Sequence, residues 1–206
     1  ATWVRGRTYK ASFDAEGVTY VPFLGSQAPR NFPVRVELTS ATVGGAPLAL
    51  EMRGVERAGD DIAIDRGALR EVWHLTPDSA EQTFVLATRP AQAGDFELRM
   101  ELETELEPRA SSAGIELEGE HGGVRIGRAT AIDAGGRRLD LTTRLEGRAL
   151  SIEVPAEFAA TASYPLVVDP VYSTNALENL TNECWLPDIS NSGTAGYWGA
   201  VYQYSY

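Results

Sequence analysis

From Phe96 to Glu103 every second residue is apolar (Phe96, Leu98, Met100, Leu102) and every intervening one is charged (Glu97, Arg99, Glu101, Glu103). Successive side chains of an extended strand point to opposite faces, so this octet lays one apolar face on a core and one charged face in water. A helix would scatter the same residues around its axis. The pattern returns in Val34, Val36 and Leu38 against Arg35 and Glu37, and in Leu139 and Leu141 against Arg138 and Asp140. Leu150, Ile152 and Val154 alternate with Ser151 and Glu153, and Ile115/Leu117 and Val124/Ile126 are shorter copies. No window of a dozen residues carries an apolar stripe of helical period. The helix-tolerant stretch, Ala156 to Ala162, follows Pro155 and predicts one or two turns.

Turn chemistry separates these segments. Asp14-Ala15-Glu16-Gly17 and Asp133-Ala134-Gly135-Gly136 each offer an Asp to bond the turn backbone and a Gly able to take positive φ, which is what a short hairpin loop needs. Gly44-Gly45, Gly122-Gly123 and Glu146-Gly147 supply further turns. The turn signals divide the chain into about a dozen short strands at the spacing of a sandwich or barrel. The predicted fold is all-β: an antiparallel β-sandwich, Ig-like or jelly-roll-like, over residues 1–170.

A break in composition follows Pro170. All 18 basic residues precede it, 17 of them Arg, and the remaining 36 residues are rich in Asn, Ser, Thr and aromatics. Residues 171–206 are therefore predicted to be a linker, around Ser173-Thr174-Asn175, followed by a C-terminal aromatic strand. On that strand Trp198, Tyr202, Tyr204 and Tyr206 share a face. Large rings beside unpaired backbone groups make these four residues the predicted partner-binding set, by strand addition to another protein chain or to a copy of this one. The segment also reads as the possible start of a repeat domain.

Charge limits the other partners. With 29 acidic against 18 basic residues the net charge is −11, which repels phosphate backbones, and Arg137-Arg138 is the one basic doublet. Nucleic acid is not a predicted partner. No apolar stretch approaches the roughly 20 residues of a spanning helix, so membrane contact is predicted to be peripheral at most. A single cysteine, Cys184, excludes an internal disulfide framework and has no basic neighbour closer in sequence than Arg148 to activate it. A chain that opens on Ala1 fits processing of a longer, exported precursor.

Catalytic chemistry has little to work with. His74 lies in an apparent strand and His121 in a turn, and a Ser-His-Asp site would need one of them to converge with a serine such as Ser79. Glu101, Glu103 and Glu105 stand on alternate positions, which is how a strand face stays soluble and also a spacing that a glycosidase carboxylate pair could use. Asp60, Asp61 and Asp65 lack the ligand spacing of a calcium loop. No catalytic, cofactor-binding or metal-binding residue is assigned, and no cofactor is expected.

Three stretches carry a family resemblance. Thr8 to Gly25, Val72-Trp73-His74-Leu75-Thr76-Pro77-Asp78 running on to Glu81-Gln82-Thr83-Phe84-Val85, and Tyr164-Pro165-Leu166-Val167-Val168-Asp169-Pro170 resemble the N-terminal all-β domain of large secreted bacterial repeat proteins. In such proteins this domain precedes propeller-like repeats, and Trp185 to Ser190 with Tyr197 to Tyr202 is similar to the opening of a blade. The resemblance implies an extracellular or cell-surface scaffold with no catalytic residues to carry over. The expected function is thus a non-catalytic structural or adhesion module that attaches or self-assembles through its C-terminal strand. The alternatives are a carbohydrate-binding module using Trp3, Trp73 or Trp198 as a stacking platform, and a fragment of a carboxylate-dependent glycoside hydrolase.

Overall fold

The computed structural model describes residues 1–176 and two short strands beyond them, 188–191 and 198–201. The chain opens with a meander of β1 (Thr2–Arg5), β2 (Tyr9–Phe13), β3 (Gly17–Pro22), β4 (Val34–Val43) and the two-residue β5 (Ala46–Pro47). It crosses to a second sheet for β6 (Leu50–Ala58), β7 (Asp61–Gly67), β8 (Arg70–Leu75) and β9 (Ser79–Leu86), and returns as β10 (Phe96–Thr104). A second excursion forms β11 (Glu107–Ser111), β12 (Gly114–Gly119), β13 (Gly122–Gly127), β14 (Thr130–Asp133) and β15 (Arg138–Asp140). Then come β16 (Thr143–Glu146), β17 (Ala149–Val154), the single-turn-and-a-half α1 (Ala156–Thr161), β18 (Leu166–Asp169) and β19 (Val171–Ala176). Beyond them β20 (Asp188–Asn191) and β21 (Trp198–Val201) pair with each other.

The smaller sheet runs β1-β2-β3-β4-β10-β17-β16, with β5 beside β4. In the larger sheet β6, β7, β8 and β9 follow in order, and the far side of β9 is taken by β18 and β19 together. These two strands hold one register along β9, from Leu166 opposite Leu86 to Ser173 opposite Ser79. They are in effect one long strand interrupted at Pro170, which has no N–H to give the ladder but accepts from the Gln82 amide through its carbonyl at 3.0 Å. Beyond it the sheet forks: β14-β15 continue from β18, and β13-β12-β11 from β19. Every described ladder is antiparallel.

The two sheets face each other across one core, giving the all-β sandwich that the alternation predicts. Phe96, Leu98, Met100 and Leu102 are all buried, as are Val34, Val36, Leu38, Leu150, Ile152 and Val154 from the same sheet. The larger sheet contributes Trp73, Phe84, Ile115, Leu117, Val124, Ile126, Leu166 and Val168. Rings lock the layers: Tyr9 stacks on Tyr20 at 4.8 Å, Phe13 of β2 meets Trp73 of β8 edge-on at 5.7 Å, and Trp73 meets Tyr172 at 5.0 Å. In the first predicted hairpin Asp14 Oδ1 accepts the backbone N–H of Glu16 and Gly17 at 3.0 and 2.9 Å.

Two features differ from the sequence reading. Nineteen strands lie within residues 1–176 against the dozen expected, in part because edge strands such as β6 and β11 are mostly exposed and so carry no alternation. Ser173-Thr174-Asn175, expected as linker, belong instead to β19, all three paired with β13 and Ser173 with β9 as well. The position of Tyr172 explains this: its ring is fully buried against Trp73, so the segment contributes to the core rather than leaving it.

Candidate functional site

The strongest concentration of polar chemistry is inside the sandwich. Arg66 follows Ile62 and Ile64 in phase on β7, Glu71 is in phase with Trp73 on β8, and Gln82 sits between Ala80 and Phe84 on the inner face of β9. Each therefore points into the core. The Glu71 carboxylate, with its side chain 2% exposed, accepts Arg66 Nε at 2.8 Å on Oε2. Its Oε1 accepts Trp73 Nε1 and Gln82 Nε2, both at 2.8 Å. Tyr172 donates to Gln82 Oε1 at 2.7 Å, and Arg66 Nη2 reaches the Glu16 carbonyl at 3.3 Å. Burial, followed by the Glu71 charge, pushes the Tyr172 hydroxyl well above its ordinary range, so it remains a neutral donor. Arg66, Trp73 and Gln82 each donate to Glu71, and the network joins β7, β8, β9 and β19. It ties neighbouring strands of the larger sheet together and, through Arg66, reaches the β2–β3 turn of the smaller one, with no group left over to meet a ligand. The sequence signal was present as charged or amide residues at core-phase positions of otherwise apolar strands.

On the outer face of the larger sheet, His74 of β8 holds Asp61 Oδ1 with Nδ1 at 2.7 Å, and its Nε2 lies 3.5 Å from Thr83 Oγ1. The arrangement has the order of an acid, a histidine and a hydroxyl. Yet the Thr83 hydroxyl donates to the Val72 carbonyl at 3.2 Å, and strand N–H groups lie in the plane of the sheet, where they cannot serve as oxyanion donors above its face. Ser79 does not join His74: its hydroxyl lies 2.9 Å from Thr76 Oγ1 in the β8–β9 turn. Nearby, the Asp169 carboxyl is raised to about 6 by burial and then by the neighbouring Glu81 carboxylate. Its Oδ1 is buried with no hydrogen-bond partner among the described residues.

The remaining candidates are dispersed. Glu103 stands opposite Arg35 in the β4–β10 ladder, and Glu105 lies past the end of β10, clamped by both terminal nitrogens of Arg30 at 2.7 and 2.6 Å. The three glutamates therefore do not line one cleft. Asp65 caps the Gly67 N–H at 2.8 Å, and among the described residues no group of three or more His, Cys, Asp or Glu is placed to share a metal ion. His121 is in the β12–β13 turn, with its ring 6.4 Å from that of Phe32.

Of the tryptophans proposed as a platform, Trp73 is fully buried and drops out, whereas Trp3 is 58% exposed. Trp3 borders a cleft of about 640 Å³ at the open edge of the sandwich, between β1 and the turns β6–β7 and β8–β9. Trp198 opens β21, opposite Asn191 of β20. Tyr202, Tyr204, Tyr206 and Cys184 lie outside the described residues.

In comparison with known proteins, no family model matches the chain and no curated protein is detectably similar to it.

Proposed function

We propose that the chain is a non-catalytic structural module of the exported bacterial cell-surface kind, which attaches or self-assembles by adding its C-terminal strand to a neighbouring chain. The observation that carries this reading is the β20–β21 ladder. Asp188 to Asn191 pair with Val201 to Trp198, and among the described residues neither strand has a second neighbour. Each thus leaves one edge of N–H and C=O groups open, the template on which a strand from another molecule docks. In sequence, Trp198 lies in β21, and Tyr202, Tyr204 and Tyr206 follow it. A two-stranded ribbon is marginal alone, which favours completion by a partner.

The test is sedimentation of the full chain beside a variant lacking Gly199 to Tyr206. Association of the full chain, with a monomeric variant of unchanged unfolding midpoint, is the expected result. A monomeric full chain, or a variant that still associates, overturns the reading.

A further inference from the structure

We propose that the cleft bordered by Trp3 is a binding site for a carboxylated sugar, a uronate-bearing oligosaccharide. Its volume of about 640 Å³ lies inside the roughly 300–1,000 Å³ that small-molecule sites occupy. One wall is β1, where Trp3 and Arg5 are two residues apart and so share a strand face. Lys10 stands opposite Arg5 in the β1–β2 ladder, with its ammonium 5.8 Å from the centre of the Trp3 ring, and the Arg5 guanidinium lies 5.5 Å from the Phe23 ring. The opposite wall brings Arg57, anchored through Nε to the Gly59 carbonyl at 3.1 Å. The floor is rigid, because the buried Tyr9 donates its hydroxyl to the carbonyls of Thr76 and Ser79 at 3.0 and 3.1 Å. Leu75 and Pro77 add apolar lining.

Charge selects the ligand. The protein carries −11 overall, and ten of its arginines are held by carboxylates. Arg5 and Arg57, which have no carboxylate partner among the described residues, both line this cleft, and Lys10 stands beside it, over the Trp3 ring. Asp60 is the acidic side chain lining it, and Arg7 in the same wall is already neutralised by Asp78. The local surplus is positive on a negative molecule. A densely charged polyanion such as nucleic acid would be repelled by the rest of the surface. A sugar acid, with one carboxylate per ring, needs only a guanidinium fork or two, and offers the flat C–H face that an exposed indole stacks on. Guanidinium forks and an exposed indole together match such a ring better than a neutral one.

Calorimetric titration of the full chain with oligogalacturonate, beside its fully methyl-esterified counterpart, tests this. The acid form is expected to bind and to weaken with added salt, and the ester to bind about tenfold or more weakly, since esterification removes the charge-assisted bonds. Trp3→Ala and the pair Arg5→Gln/Arg57→Gln should each lose about tenfold or more, while Trp3→Phe, which keeps a ring, should hold most of the affinity. These side chains are at the surface, so the unfolding midpoint serves as a folding control. Equal binding of acid and ester, binding indifferent to both substitutions, or no binding of either at millimolar concentration overturns the proposal.

Discussion

Glu71 is a buried carboxylate on which three side-chain donors converge. It lies near the start of β8 on the inner face, accepts three donors, and neutralises an Arg66 side chain that is only 8% exposed. Glu71→Ala leaves a guanidinium buried without its counter-ion, and removes the acceptor of both Trp73 Nε1 and Gln82 Nε2. Loss of one partner of a buried pair costs about 3–5 kcal/mol, so the variant should show a much lower urea midpoint. Replacing both members, Arg66→Met with Glu71→Leu, should recover most of that loss, because apolar residues of similar volume avoid the desolvation penalty. A double variant no more stable than Glu71→Ala would mean that the network contributes through Trp73 and Gln82 instead. Exposed pairs such as Arg30 with Glu105 belong to a different class, since water screens them.

At the scale of elements, β19 ties the β11–β13 wing to β9. It is the neighbour of β9 on one side and β13 on the other, and it delivers Tyr172 to the core and Thr174 to Tyr20, whose hydroxyls lie 2.9 Å apart. A chain stopped after Pro170 therefore loses the link between β9 and the β11–β13 wing. A chain stopped after Ala176 keeps it. The expected result is that the shorter form is unfolded or molten by near-ultraviolet circular dichroism while the longer one unfolds cooperatively. A cooperative transition in both would show that the wing is held by side-chain packing alone. Gly123 illustrates how tightly that wing is built: a Cβ there would stand 1.8 Å from the Leu117 carbonyl oxygen, so the β12–β13 ladder admits no side chain at that position.

For the whole molecule, three carboxyls set the pH range of greatest stability. Asp14 is held down to about 2, first by Arg35, whose guanidinium it accepts at 3.0 and 3.1 Å. Burial would raise Asp133, but the Arg137 side chain and the N–H groups of Arg137 and Ser163 outweigh it and bring it to about 2. Both values lie below the roughly 3.9 of an unfolded Asp, so their stabilisation is present above that pH and is lost as pH falls towards 2. Asp169 has the opposite sign: raised to about 6, it favours the folded state while protonated and withdraws that contribution as pH rises from about 4 through 6. The urea midpoint should climb from pH 2 to about 4 and decline through about 6, and Asp169→Asn should flatten the decline while leaving the acid limb intact. A decline unchanged in Asp169→Asn assigns it to another group. The sequence by itself determined the strands with one wet face, since alternation is a local property: Phe96 to Glu103, Val34 to Leu38 and Ala149 to Val154 could be read without a partner, and so could the Asp14 turn and the short helix after Pro155. It could not reveal β6, in which no residue is fully buried, nor that Ser173 to Asn175 are strand, because a strand's membership in a sheet depends on neighbours far away in the chain. The candidate sites divide in the same way. Exposed rings and carboxylates are visible as residue types, but that Trp73 is core while Trp3 borders a cleft, that Arg66 and Glu71 meet inside, and that Arg5 and Arg57 line the same cleft, only the packing of one sheet on the other decided.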